Sequence, residues 1–184
     1  MQQIENLKKE LISLWKNDIK KDYEEGLICS ERHLQALIFH YLMKKFECIC
    51  EYKIWLEPLL TGSRLYNLKG TKPDLLITYK NEIICFVELK YVPYGYVNYH
   101  KDLNKISSKY NPKINLYTES KSGDWDYKKY FKFNENILKV FGVIANCEAA
   151  ALSIEHISVP GNFLHLFGSV ELNKSIFDFN PKQL

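Results

Sequence analysis

Asp74, Glu88 and Lys90 are the residues whose types and spacing could do chemistry in this chain. Glu88 and Lys90 close the run IICFVELKY, residues 83–91, where an apolar segment leads straight into two charges. Residues two apart on a strand project from one face, so this carboxylate and ammonium stand side by side. Charges at the end of an apolar strand are costly unless they are paired or bind something. Asp74 opens the preceding run, DLLITY, directly after Lys72 and Pro73. The two runs read as a hairpin turning at Lys80 and Asn81, which brings Asp74 to the same end as Glu88. Two carboxylates and one ammonium then converge, either as a site or as an ion-pair cluster.

Register decides whether they meet. A strict two-residue loop at Lys80 and Asn81 sets Asp74 opposite Val87, on the wrong side of the sheet from Glu88. A loop lengthened by Glu82, or a β-bulge with the same effect, sets Asp74 directly opposite Glu88. One of these devices is required if the site is to assemble.

The arrangement GTKPDLLITY, turn, EIICFVELKY resembles the signature of the PD-(D/E)xK nuclease superfamily, the restriction-endonuclease-like fold. The match covers Pro73 and Asp74, then Glu88, Leu89 and Lys90, and the element order over about residues 30–146 resembles that family's α-β-β-β-α-β core. Residues 1–29 and the C-terminal tail lie outside it. An acid two before a lysine also occurs at Asp18, Glu51, Glu119 and Asp126, but only Glu88 has both an apolar strand leading in and a Pro-Asp strand beside it.

The resemblance implies a metal-dependent nuclease hydrolysing phosphodiester bonds, with DNA as the expected partner. Asp74, Glu88 and the carbonyl of Leu89 would hold Mg²⁺ or Mn²⁺, for which oxygen ligands are suited. Lys90 would orient the nucleophile and offset negative charge developing on the phosphate. Family members often add an acid from the first core helix. Glu31 is the candidate, and a first-turn acid favoured by the helix dipole is the equal alternative. Relatives often dimerise to cut two strands, so a homodimer is compatible with the resemblance. The alternative function is a catalytically inactive module of the same fold that binds nucleic acid or a protein partner.

The surrounding elements must position these residues. Apolar positions at helical spacing predict a helix over residues 4–22 and a second over 30–46 with Ser30 as its N-cap. Alternation in CICEYKIWL predicts a strand over 48–56, followed by a loop containing Gly62, Ser63 and Gly70. Residues 100–110 read as a short helix, 137–146 as a buried strand, 147–157 as helical and 163–172 as a last strand. Residues 111–136 are polar and aromatic and carry no clear period. The expected fold is α/β, one domain over residues 1–184 with a small mixed sheet flanked by helices.

Between the expected site and the third helix lie Tyr91, Tyr94, Tyr96 and Tyr99, followed by His100, Lys101 and Lys105. Tyr94, Tyr96, His100, Lys101 and Lys105 are candidates for contact with nucleic acid through stacking and phosphate contacts. Covering the sheet edge is the other role open to the tyrosines. Lysines continue through Lys132, on either a solvated face or a phosphate-binding one. The other histidines, His33, His40, His156 and His165, read as packing or surface residues.

A net charge of +3 neither demands nor excludes a nucleic-acid partner. The N-terminal stretch mixes acids with lysines and lacks the apolar core of a signal peptide, and no apolar run reaches membrane-spanning length. A cytoplasmic protein is expected. Five cysteines include no CxxC pair, and Cys48 and Cys50 read as reduced, apolar packing residues on one side of a strand.

Overall fold

The computed structural model describes residues 2–61, 72–94, 113–117, 128–145, 161–171 and 174–182. The chain is α/β. Helix α1 spans Gln2–Leu14 and passes through a π-helical turn, Trp15–Ile19, into α2, Lys20–Glu24. After a short connection α3 spans Glu31–Phe46, and the strands follow: β1 Tyr52–Leu56, β2 Leu60–Thr61, β3 Leu75–Tyr79, β4 Glu82–Val92, β5 Lys113–Tyr117, β6 Lys128–Ala145, β7 Phe163–Glu171 and β8 Lys174–Lys182.

These strands form one eight-stranded mixed sheet, larger than the small sheet expected. Strands β1, β3 and β4 form an antiparallel meander, and β6 lies parallel to β4 on the other side. A parallel neighbour cannot be reached by a hairpin and needs a crossover of a dozen residues or more. The far edge of β6 is shared, with β5 antiparallel along its first part and β7 parallel along its last, and β8 closes that side against β7.

Two apolar layers sandwich the sheet. On the first face, Leu75, Ile77, Val87, Leu89, Val140, Ile144, Leu164 and Leu166 pack under the helices, against Leu7, Leu11, Trp15, Leu34, Ile38 and Leu42. On the second face, Leu76, Phe86, Phe141, Val143, Phe163 and Phe167 form a separate cluster. The N-terminal helix therefore belongs to the first layer. Its stripe Ile4, Leu7, Leu11 and Leu14 continues into Trp15 and Ile19 because the π turn inserts one residue and keeps the apolar side facing the sheet.

Helix α3 starts where its cap predicts. Ser30 has extended backbone and its Oγ accepts from the His33 N–H at 3.2 Å, satisfying one otherwise orphan donor. The expected strand over 48–56 begins only at Tyr52. Before it the chain reverses, with the Ile49 N–H donating to Phe46 O at 2.9 Å and the Tyr52 N–H to Ile49 O at 3.0 Å. Cys48 and Cys50 sit in that reversal and are exposed, which corrects their reading as packing residues. Their alternation with Ile49 reflects a turn.

Further corrections concern the second half. The segment 111–136 holds β5 and the start of β6, and 163–172 is not the last strand, since β8 follows. Pro181 in β8 is tolerated because, among the described residues, β8 pairs with β7 alone and is an edge strand. The loop over 62–71 and the expected helices over 100–110 and 147–157 lie outside the described residues.

Two consequences of this packing are measurable. Gly142 on β6 leaves no room for a side chain, because a Cβ there would stand 2.8 Å from Leu89 Cδ2 and 3.3 Å from the Trp15 ring. Gly142→Ala is expected to lower stability by about 1–3 kcal/mol, as overpacking of a filled core does, read by urea denaturation. Tyr41 donates its hydroxyl to Oδ2 of the buried Asp22 at 2.7 Å, and that bond, with burial and the carboxylate charge, pushes the phenol up to about 12. A raised folded-state value means the contribution is full below the unfolded value near 10 and is lost as pH rises through the folded value. Wild type is thus expected to lose stability between about pH 10 and about pH 12, and Tyr41→Phe to show a smaller loss, in denaturation curves taken across this range.

Candidate active site

The hairpin contains the register device that the Asp74 and Glu88 pairing requires. At the turn, Tyr79 pairs with Glu82 and Thr78 with Ile83, the pairing of a strict two-residue loop at Lys80 and Asn81. Lys80 turns the chain with φ 55°, the left-handed region uncommon outside glycine. Between Ile77 and Thr78 the register then shifts, so that Ile77 pairs with Cys85, Leu76 with Phe86 and Leu75 with Val87. Ile84 is the extra residue of a β-bulge, and Ile84 and Cys85 both point into the first apolar layer. Extended by one residue, the shifted register sets Asp74 opposite Glu88.

Local bonding fixes what kind of pair this is. The Leu89 N–H donates to Asp74 Oδ2 at 2.6 Å, so it points toward the β3 side. Along an antiparallel strand every second residue points its N–H and C=O to the same neighbour, which places Val87 and Leu89 in hydrogen-bonding positions and Glu88 between them. Asp74 and Glu88 therefore oppose each other as a non-hydrogen-bonded pair, the closer kind, with Cα atoms about 4.5 Å apart in regular geometry. The Leu89 carbonyl points the same way as its N–H. Its partner in that register is Pro73, which has no N–H, so the ladder supplies this oxygen no donor.

Asp74 precedes the first residue of β3 and is held from three sides. Its carboxylate accepts from Leu89, and its carbonyl accepts from Gln35 Nε2 at 3.0 Å and from the Glu57 N–H at 3.0 Å. Glu57, the residue after β1, has φ 45°, a strained conformation for a residue with a side chain, at the point where its N–H meets Asp74.

Glu88 is 1 % exposed, and by strand alternation it lies on the second face with Phe86. Lys90 lies two residues further along β4, beyond the described pairs of β3. Its Nζ stands 3.3 Å from Glu31 Oε2, at the first turn of α3, with the two side chains 22 % and 42 % exposed. Glu31 thus meets Lys90 rather than joining Asp74 and Glu88. Among the described residues no group of three or more His, Cys, Asp or Glu side chains is close enough to hold a metal ion. Among the described residues, a cation here would rely on Asp74, Glu88 and backbone oxygen. That donor set suits a small hard cation: two carboxylates at opposed positions and a carbonyl outside the ladder.

The second face has further polar character that the sequence reading did not single out. Thr78, Lys139, His165 and Ser169 are buried there with Glu88, whereas the strand residues buried on the first face are apolar. Glu88, Phe141 and His165 share one row across β4, β6 and β7, and the His165 ring lies 6.3 Å from that of Phe141 and 5.8 Å from that of Phe167. Burial pushes the Lys139 ammonium down from its ordinary value. No local motif marks these residues, because the register of β6 and β7 is set by long-range pairing.

Tyr94 is 89 % exposed just beyond β4. Tyr96, His100, Lys101 and Lys105 lie outside the described residues. Among the described residues no helix is long and apolar enough to cross a membrane. The class reached by fold is an α/β protein with a mixed sheet and, among the described residues, helices packed on one of its faces. Compared with known proteins, the chain matches no family model, no curated protein and no solved structure.

Proposed function

We propose that this chain is a metal-dependent nuclease that hydrolyses phosphodiester bonds, with DNA as the substrate and a restriction-endonuclease-like core from α3 to β6. One observation carries the reading: the bulge at Ile84 gives β4 the register that sets Asp74 opposite Glu88, with the Leu89 carbonyl facing Pro73 and Lys90 two residues beyond Glu88 on its face. An ion-pair cluster has no need of a carbonyl kept out of the ladder. The order α3, β1, β3, β4, with β6 parallel to β4, supports the core assignment.

In this reading Asp74, Glu88 and the Leu89 carbonyl hold Mg²⁺ or Mn²⁺. Such an ion, when bound, would supply a nucleophile from water at neutral pH and stabilise charge on the phosphate. The chain's own contribution is placement. Lys90 presents an ammonium beside the carboxylates to orient the attacking water, and Glu31 holds that ammonium at the sheet's end. Tyr94 offers an exposed ring to a base or phosphate beside the site, with Tyr96, His100, Lys101 and Lys105 as further contacts.

The test is cleavage of labelled single-stranded, duplex and branched DNA and of RNA, with Mg²⁺, Mn²⁺ or EDTA, comparing wild type with Lys90→Ala. Metal-dependent cutting that Lys90→Ala loses supports the nuclease and identifies its substrate. Binding of DNA without cutting, in folded protein loaded with metal, moves the function to an inactive module of the same fold. Sedimentation of the active species decides whether it works as a homodimer.

A further inference from the structure

We infer that Gln35 is a positioning residue of this site: from helix α3 it holds the backbone of Asp74 and so fixes where the Asp74 carboxylate points. The inference rests on the proposed metal site and adds a residue absent from the Asp74, Glu88 and Lys90 pattern. Gln35 is polar but only 5 % exposed, next to Leu34 in the helix and one turn from the buried Ile38. A buried amide is costly unless hydrogen-bonded. Its Nε2 meets the Asp74 carbonyl at 3.0 Å, and only the NH₂ end of the amide can face a carbonyl oxygen.

Position explains why such a bond is needed. Asp74 stands before the first β3–β4 ladder pair, so no bond of that ladder holds its backbone. Three hydrogen bonds take over, from Gln35 on α3, from Glu57 after β1 and from Leu89 on β4. Glu31 lies one turn before Gln35 on the same side of α3 and holds Lys90. One rigid helix thereby secures both ends of the site, Lys90 through Glu31 and Asp74 through Gln35. Residues that support metal ligands in this way typically change affinity or activity 10–100-fold when removed.

The bond to Glu57 makes the substitution informative. When Gln35→Leu removes one donor, the Asp74 carbonyl keeps the other, so no buried acceptor is orphaned and the apolar replacement fills a similar volume. Two readouts on the full chain separate positioning from packing: Mn²⁺ affinity, from paramagnetic resonance of the free ion, and hydrogen exchange of the Leu89 amide, which reports the Asp74 carboxylate without any metal.

Gln35→Leu is expected to weaken Mn²⁺ binding about 10–100-fold and to speed Leu89 exchange, with the thermal midpoint close to wild type. Unchanged Mn²⁺ affinity and Leu89 exchange in Gln35→Leu, beside an Asp74→Asn control that loses the ion, overturn the inference and leave the metal site standing. A wild type that binds no Mn²⁺ overturns the metal site itself, and Leu89 exchange then still decides whether Gln35 fixes Asp74.

Discussion

Asp74→Asn and Glu88→Gln are each expected to lower metal-dependent cleavage at least ~100-fold while the protein stays folded, since losing a ligand should exceed the effect of losing a ligand's support. Each replacement is nearly isosteric. An Asn oxygen can still accept from the Leu89 N–H, so the bond that now spans 2.6 Å keeps an acceptor and only the charge is lost. Glu88 is almost wholly buried, where a carboxylate carries a desolvation cost that an amide reduces.

The two properties should therefore separate, with activity lost and stability held. A structural ion-pair cluster makes the opposite forecast: breaking a buried pair by removing one charge costs about 3–5 kcal/mol. Urea denaturation and cleavage measured on the same preparations decide between them. Stability loss of that size with no cleavage by wild type ends the nuclease reading.

Trp15→Ala is expected to cost about 3–5 kcal/mol, the range for removing a large buried aromatic. Trp15 is fully buried, its ring tilts against Phe177 at 5.8 Å, and its Nε1 donates to the Phe167 carbonyl at 2.9 Å. It also lies under Gly142, whose missing side chain makes room for it. The substitution opens a cavity in the first apolar layer and removes a donor from a β7 carbonyl, joining two separate penalties. A domain's total stability is typically 5–15 kcal/mol, so this single change should shift the urea midpoint far more than any other described here. A shift below about 1 kcal/mol would mean that the N-terminal helix is not part of the folding core.

Much of the site was legible because its parts are local. Period-two alternation fixes which residues of β4 share a face, so Glu88 and Lys90 could be paired from their spacing alone. Ser30 announced the start of α3, and Lys80 with Asn81 announced the hairpin turn. The need for a longer loop or a bulge also followed from the sequence, because face and register are linked by counting, and the structure uses the two-residue loop with a bulge. The place of that bulge did not follow: nothing in IICFV marks Ile84 over its neighbours as the residue that falls out of pairing, and the first apolar layer accepts it beside Cys85.

Other features depended on contacts distant along the chain. The strands over 111–136 were hidden because β5 and the start of β6 are polar and take their order from each other through the sheet. Cys48 and Cys50 alternate like strand residues, yet the reversal after α3 uses them in a turn. Gln35 looked like a helix residue of no special kind, and its bond to Asp74 spans 39 positions. Sequence alone determined the charged trio and the shared face of Glu88 and Lys90, since that face rests on backbone periodicity within a few residues. Only the tertiary structure decided what holds the trio in place, because the holding bonds come from a helix and a neighbouring strand whose approach is set by burying two apolar layers.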